Sequence, residues 1–317
     1  MAVRFRGGEA CVAPAGLALR RADPQSGETM SEQLIVQLVV SGLGMGFIFA
    51  LIAIGLTLIY GVMDVVNFAH GEFIMLGMYV TYLAYATWGA DPLVSLPFVA
   101  AFMFCFGVAV YYLLIRRVIR GSMQSQIFAT FGLMVFLQAS AQFLMGADYF
   151  AIRNSWLSGV VKLSGIVLPV PQLAAVVGAS VATALLYLLV FRTSVGRQLR
   201  AASQDAQAAS TLGINVSLMY ALAWGIGAAC VGVAASLLSN FYYIFPRVGA
   251  VFVLLAYVAV ALGGFGSIHG ALLAGVLIGL LQVVIGFFVS SELKYVPVYM
   301  LYLVVVLLRP RGLFGRT

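Results

Sequence analysis

The chain has 317 residues, of which 63% are hydrophobic and 9% charged, with a mean hydropathy of +1.08 and a net charge of +7. Soluble domains carry about 25% charged residues, so this composition excludes a soluble domain of useful size and describes a polytopic membrane protein. The basic surplus sits in short loops between apolar runs. There it sets membrane orientation and is no sign of nucleic-acid binding.

Residues 1–29 hold Arg4, Arg6, Arg20 and Arg21 and have no apolar stretch long enough for a signal peptide. Met30 then opens "MSEQLIVQLVV", which runs straight into apolar sequence. The expectation is that 1–29 form a disordered tail or a mis-called N-terminal extension, and that 30–317 form one transmembrane domain. A spanning helix needs about 20 mostly apolar residues. Such segments lie near 34–62, 70–88, 95–115, 124–145, 170–191, 217–240, 248–264, 268–289 and 295–308. The expected fold class is therefore an all-α polytopic membrane protein with about nine (8–10) transmembrane helices.

The turn between the first two segments, in "YGVMDVVNFAHGEFIMLG" (60–77), crowds Asp64, Asn67, His70 and Glu72 together. Ionisable groups within a membrane point to function by default. Asp64, Asn67 and His70 are spaced three apart, so on a continuous helix they would share a face. Gly71 would allow a turn or a close backbone approach, and Glu72 would suit the positive end of the second helix. The cluster can be a structural knot that satisfies a broken backbone, a lining or gate of a solute path, or a proton relay through His70 and Glu72. Thr57 and Tyr60 in the first segment, and Gln138 and Gln142 on one face of the fourth, are further candidates for a solute path.

The segment "VGRQLRAASQDAQAASTLGINV" (195–216) is polar between two apolar runs. Asp205 suits a helix N-cap, Ala206 to Leu212 are mostly good helix formers, and Gly213 stands where a C′ glycine ends a helix. A short helix with a small, polar surface suits docking into a groove of another protein. Further on, Ser267 and His269 in "GGFGSIHGALLAG" lie two apart at a helix start without an orienting acid, which argues against a hydrolase. The "HG" within this stretch, His269–Gly270, echoes His70–Gly71 and hints at two related halves. The chain's two lysines, Lys162 and Lys294, do not follow glycine, so there is no P-loop for ATP. Cys11, Cys105 and Cys230 have no metal or redox spacing, and no cofactor is expected.

The loops sort by charge. One side receives nine arginines, at 116, 117, 120, 192, 197, 200, 309, 311 and 316, and the other receives Arg153, Lys162, Arg247 and Lys294. The richer side is expected to be cytoplasmic. That places loop 192–216 and the C-terminus in the cytoplasm and, with nine spans, the N-terminus outside. The arginines of 1–29 conflict with that orientation, a second reason to expect the chain to start at Met30.

Four stretches carry a family resemblance. "GRQLRAASQDAQAASTLGINV" (196–216) resembles the EAA loop of ABC importer permeases, with Gln207, Ala208, Ala209 and Gly213 at the pattern positions and Gln207 in place of the usual glutamate. "ALIAIGLTLIYGVMDVVNFAHGEFIMLGMYV" (50–80) resembles branched-chain amino-acid permeases of the LivH type. So do "LGGFGSIHGALLAGVLIGLL" (262–281), with His269 where proline is more usual, and "LLRPRGLFG" (307–315). The resemblance spans about residues 33–316. It implies an ABC importer permease fold in a bacterial inner membrane and no enzyme activity of the chain's own. It also implies a second permease subunit of LivM type, two cytoplasmic ATP-binding subunits and a periplasmic or lipid-anchored solute-binding protein. The loop helix, with Asp205, Gln207, Ala208, Ala209 and Gly213, would couple to an ATPase. The solute would be a branched-chain amino acid or a related small polar molecule. The competing reading is a proton-coupled secondary transporter using His70 and Glu72.

Overall fold

In the computed structural model, which describes residues 24–153, 155–163, 166–290, 292–309 and 312–314, helix α1 runs unbroken from Pro24 to Met63. Forty residues at 1.5 Å each make about 60 Å, twice the ~30 Å hydrocarbon core of a bilayer. Residues 24–29 belong to this helix; the rest of the tail or extension expected over 1–29, residues 1–23, lies outside the described residues. Next come α2 (His70–Trp88) and α3 (Pro92–Val110), the latter extended by a π-helical turn (Tyr111–Ile115) and α4 (Arg116–Val118). α5 (Met123–Met145) leads to an antiparallel hairpin of β1 (Val160–Leu163) and β2 (Ile166–Pro169), paired from Val160–Pro169 to Leu163–Ile166. Then follow α6 (Val170–Arg192), α7 (Ser194–Gln204), α8 (Ala206–Thr211), α9 (Val216–Leu238), α10 (Val248–Gly263) and α11 (Ile268–Phe288). A 3₁₀ turn (Leu293–Tyr295) precedes α12 (Val296–Leu308).

A helix occupies each apolar segment read from the sequence. Among the described residues, six helical stretches are long and apolar enough to cross a membrane: 33–63, 92–118, 123–145, 170–192, 216–238 and 268–288. The hairpin departs from an all-α expectation. Its β-branched residues flank Ser164–Gly165, a turn signal that span-length apolar windows overlook.

The core forms around α1 and α9. α1 packs along α11, α9, α6 and α10, and α3 packs along α9. Lipid offers no hydrophobic drive between helices, so close contact through small residues carries the packing. A Cβ at Gly55 would stand 2.7 Å from the Gly227 carbonyl oxygen, and one at Gly227 2.8 Å from that of Gly55. α1 and α9 can therefore cross this closely only through glycine. Between such contacts sit Phe49, Phe73, Trp224 and Phe252, all essentially without solvent exposure. Interhelical hydrogen bonds add to this: Thr81 Oγ1 and Ser236 Oγ lie 2.9 Å apart, and Ser41 donates to Gln172 at 2.7 Å.

The helices alternate direction, so the loops gather at two ends. One end joins 89–91, 150–158 and 240–244, where Trp156 N–H donates to Asp91, Ser155 to Asn240, and Phe150 bridges Ile244. The other end collects turn 64–69, α7 and α8, residues 264–267 and the C-terminal stretch, where Leu313 N–H donates to Leu262 O at 2.8 Å. The described arginines of the basic set lie at this second end.

Candidate functional site

Three features meet at the arginine-bearing end. The first is the polar turn. The Asp64 backbone takes φ 53, left-handed, and it is the one non-glycine residue to do so among the described residues. Aspartate tolerates that conformation better than most side chains. The chain stays non-helical until His70. Asn67 Oδ1 accepts from Ala69 N–H at 3.1 Å, which ties the turn to its own backbone. His70 Nε2 donates to Ile52 O in α1 at 3.0 Å, and Gln138 Nε2 donates to Glu72 Oε1 at 2.7 Å. Thr130 Oγ1 lies within hydrogen-bond distance of Val66 O at 3.1 Å as well as of the Gln126 and Ile127 carbonyls of its own helix, so α5 packs against both the turn and the start of α2.

The spacing of Asp64, Asn67 and His70 would give one shared face only on a continuous helix, and the helix is not continuous here. α1 ends at Met63, so helical periodicity does not run through the turn. Asp64 faces solvent while Asn67, His70 and Glu72 are fully buried. Asn67 Nδ2, His70 Nδ1 and Glu72 Oε2 are buried without a hydrogen-bond partner. His70 and Glu72 hold different partners, and no hydrogen bond or ion pair joins them.

The second feature is a cavity of about 390 Å³ bounded by α1, α6, α7, the start of α11 and the C-terminal stretch. Thr57, Tyr60 and Asp64 line it from one side, Arg200 and Ser203 from α7, and Phe265, Ser267 and His269 from another. The Tyr60 and Phe265 rings lie 4.7 Å apart. Phe191 stacks on His269 at 5.5 Å, and the Arg200 guanidinium lies over the Phe191 ring at 5.0 Å. Ser267 is spent locally as the N-cap of α11, accepting from Gly270 N–H at 3.1 Å.

The four residues proposed for a solute path therefore do not form one site. Thr57 and Tyr60 line this cavity, and Gln138 serves Glu72. Gln142 lines a separate recess of about 180 Å³ with Tyr149, Phe245 and Arg247 at the opposite end. Arg200 and Ser203 escaped sequence reasoning because α7 itself did. The signal was there: Leu199 and Ala202 are buried and three apart, while Arg197 and Ser203 are exposed.

The third feature is the loop between α6 and α9. Thr193 caps α7 by accepting from Gly196 N–H at 3.1 Å. Asp205 Oδ1 accepts from Gln207 N–H at 2.8 Å and Ala208 N–H at 2.9 Å, starting α8. Gly213 has φ 81, and its N–H donates to Ser210 O while Ile214 N–H donates to Ala209 O. This pair of bonds is a Schellman closure, which requires the left-handed residue that glycine supplies. Ala209 is buried beneath the helix, whereas Gln207, Ala208, Ser210 and Thr211 are exposed and Leu212 is 80% exposed. α8 is thus a short element closed at both ends that presents small side chains and one leucine.

Residues 38–308 match the family described as the permease component of branched-chain amino acid transport systems. The chain belongs to this family. The matched stretch includes the polar turn, the loop and the cavity lining of the permease apart from Phe314. It is 33% identical over 304 residues to the high-affinity branched-chain amino acid transport permease LivH of Escherichia coli K12, covering 90% of this chain and 98% of LivH. It is 33% identical over 294 residues to BraD of Pseudomonas aeruginosa, covering 89% and 96%. A probable LivH of Methanocaldococcus jannaschii is 27% identical over 290 residues, covering 84% and 88%. No solved structure matches the permease. Its relatives are permease proteins of transport systems and not enzymes. Among the described residues no group of histidine, cysteine, aspartate and glutamate is arranged to hold a metal.

Proposed function

We propose that the permease is the membrane-spanning translocation subunit of an ATP-driven importer of branched-chain amino acids or a related small polar solute. The observation that carries this is α8, an exposed helix capped at both ends and placed between two spans at the arginine-rich end. A carrier working alone has no use for such an element. α8 would dock in a groove of a separate ATPase and pass its closure to the spans as alternating access. Asp205 and Gly213 would fix the shape of the contact, Gln207 and Ala208 would form its surface, and Ala209 would anchor it from below. Two ATP-binding subunits, a second permease of LivM type, and a periplasmic or lipid-anchored binding protein would complete the assembly. α2, α10 and α12 would raise the crossings to nine, in a bacterial inner membrane with the loop and C-terminus cytoplasmic. The exposed Phe128, Phe136 and Phe143 of α5 would then face lipid or the second permease.

In proteoliposomes, the full chain alone is expected to show neither ATPase activity nor uptake, and the assembly with its ATPases, second permease and binding protein is expected to show both. Proton-driven uptake by the chain alone would overturn this reading in favour of a secondary transporter. A Ser210→Cys variant should react with an impermeant maleimide only in inside-out vesicles; labelling in right-side-out vesicles would reverse the topology.

A further inference from the structure

The column formed by α3, the π-helical turn and α4 ends in three arginines. Arg116, Arg117 and Arg120 are exposed, and so is Leu113 before them, at 65%. Leu114, Ile115, Val118 and Ile119 are buried or half-buried. Helical hydrogen bonding continues past α4, with Ile119 N–H donating to Ile115 O and Gly121 N–H to Val118 O, both at 2.9 Å. Positions 113, 116, 117 and 120 therefore share one outward side, apolar first and cationic one and two turns later. The start of α5 lies beside it, since Gln126 Nε2 donates to Ile119 O at 3.2 Å, and α5 adds the exposed Met123 and Phe128. No aspartate or glutamate occurs from residue 92 to residue 147, and none of the three guanidinium groups forms an ion pair among the described residues. The Arg116 guanidinium lies over the Tyr112 ring, 5.7 Å from its centroid.

We propose that Arg116, Arg117 and Arg120 hold the phosphate of an anionic phospholipid at the loop-side face of the bilayer, with Leu113, Met123 and Phe128 against its acyl chains. Three uncompensated guanidinium groups suit a phosphodiester, because each offers planar donors that pair with phosphate oxygens two at a time. Clustered arginines immediately beyond a spanning helix are attracted to anionic headgroups. The neighbouring side chains favour a lipid over an acidic protein. A soluble partner matches the arginines alone, whereas a phospholipid matches charge and apolar surface in the same order along the helix. The site also reaches the docking loop. Tyr111, 2% exposed in the π-helical turn before Arg116, shares a hydrogen bond of 3.1 Å with Ser217 in the first turn of α9, where that loop ends. A bound headgroup steadies the end of the column and, through Tyr111, the anchor of the loop that carries α8. This consequence rests on the proposed importer reading; the site itself does not.

The test uses the full chain in detergent, titrated with equal amounts of dioleoylphosphatidylglycerol and dioleoylphosphatidylcholine and read by native mass spectrometry. Phosphatidylglycerol should be retained at least five-fold over phosphatidylcholine. Arg116→Gln, Arg117→Gln and Arg120→Gln together should cut that preference to less than two-fold. Arg192→Gln, Arg197→Gln and Arg309→Gln together remove the same charge from exposed positions at the same end and should leave the preference intact. Monodisperse elution confirms folding of both triple variants. No preference for phosphatidylglycerol, or an equal loss in the two variants, overturns the site. A first variant that keeps the preference but no longer co-purifies with the ATPase subunits assigns the arginines to an acidic protein and overturns it too. In nanodiscs, ATP hydrolysis by the complete assembly should be at least two-fold faster with phosphatidylglycerol than with phosphatidylcholine alone, and the first variant should lose that gain. A rate indifferent to lipid removes the link to the docking loop alone. Lipid preference without ATP hydrolysis by the assembly sinks the importer reading and leaves the site standing.

Discussion

His70 and His269 occupy matching local positions and opposite environments. Each lies in the first turn of a helix, each precedes a glycine, and each glycine is pressed onto α10. A Cβ at Gly71 would stand 2.6 Å from the Gly249 carbonyl oxygen, and one at Gly270 would collide with the backbone of Gly263. The histidines differ in what lies over the ring. α1 covers His70, whose Nε2 is bound to Ile52 O and which has no solvent exposure. His269 is exposed at the cavity wall, with Tyr187 at 5.4 Å and Phe191 at 5.5 Å. The shared dipeptide therefore encodes one packing device, the glycine. The histidine is a core fixture in one place and a cavity surface in the other.

This comparison can be broken at its strongest point first. Gly71→Val and Gly270→Val should both fail, because overpacking against backbone cannot relax, and each should cost about 3 kcal/mol or more. The check is the yield of monodisperse protein after detergent extraction; a well-folded Gly71→Val with a tolerated Gly270→Val would show that close approach to α10 is not the common device. The histidines should then separate. His70→Ala leaves a buried void and an unpaired environment, and is expected to cost about 2–3 kcal/mol in thermal unfolding monitored by tryptophan fluorescence. His269→Ala should stay within about 0.5 kcal/mol, as exposed substitutions do.

The docking loop offers a contrast with both. Gly213→Val meets no neighbouring atom at the Cβ position, yet must adopt φ 81. The left-handed conformation costs a residue with a Cβ roughly 1–2 kcal/mol. Uptake by the assembly should fall while insertion and ATPase activity persist; unchanged uptake would remove the coupling role. Asp205→Ala should cost about 1 kcal/mol through loss of the N-cap, read as lower hydrogen-exchange protection at Gln207 and Ala208.

The apolar segments were legible because membrane helices are written as long uninterrupted runs. The boundaries of α8 were legible for a different reason: Asp205 and Gly213 act on backbone atoms two to five residues away, so their chemistry is local. α7 was not legible. Its helical face is defined by burial of Leu199 and Ala202 under neighbouring helices, and Gly196 at its start suggests a loop when read alone. A Cβ at Gly196 would strike the Val190 carbonyl, a constraint that arises only once α7 folds back on α6. The polar turn was half legible. Asp64, Asn67, His70 and Glu72 stand out as a polar group between apolar runs, but the break at Met63 leaves no common helical face and sends Asp64 outward.

The amino-acid sequence alone determined that this chain lives in a membrane, where its long apolar helices lie, and which end carries the arginines, because each follows from hydropathy or charge over short spans. Tertiary structure decided which polar residues meet. Glu72 finds Gln138, His70 finds Ile52, and Asp64 comes to share a cavity with Arg200. Each pairing joins residues from different helices, and the relative rotation and depth of packed helices are set by where glycines let backbones touch.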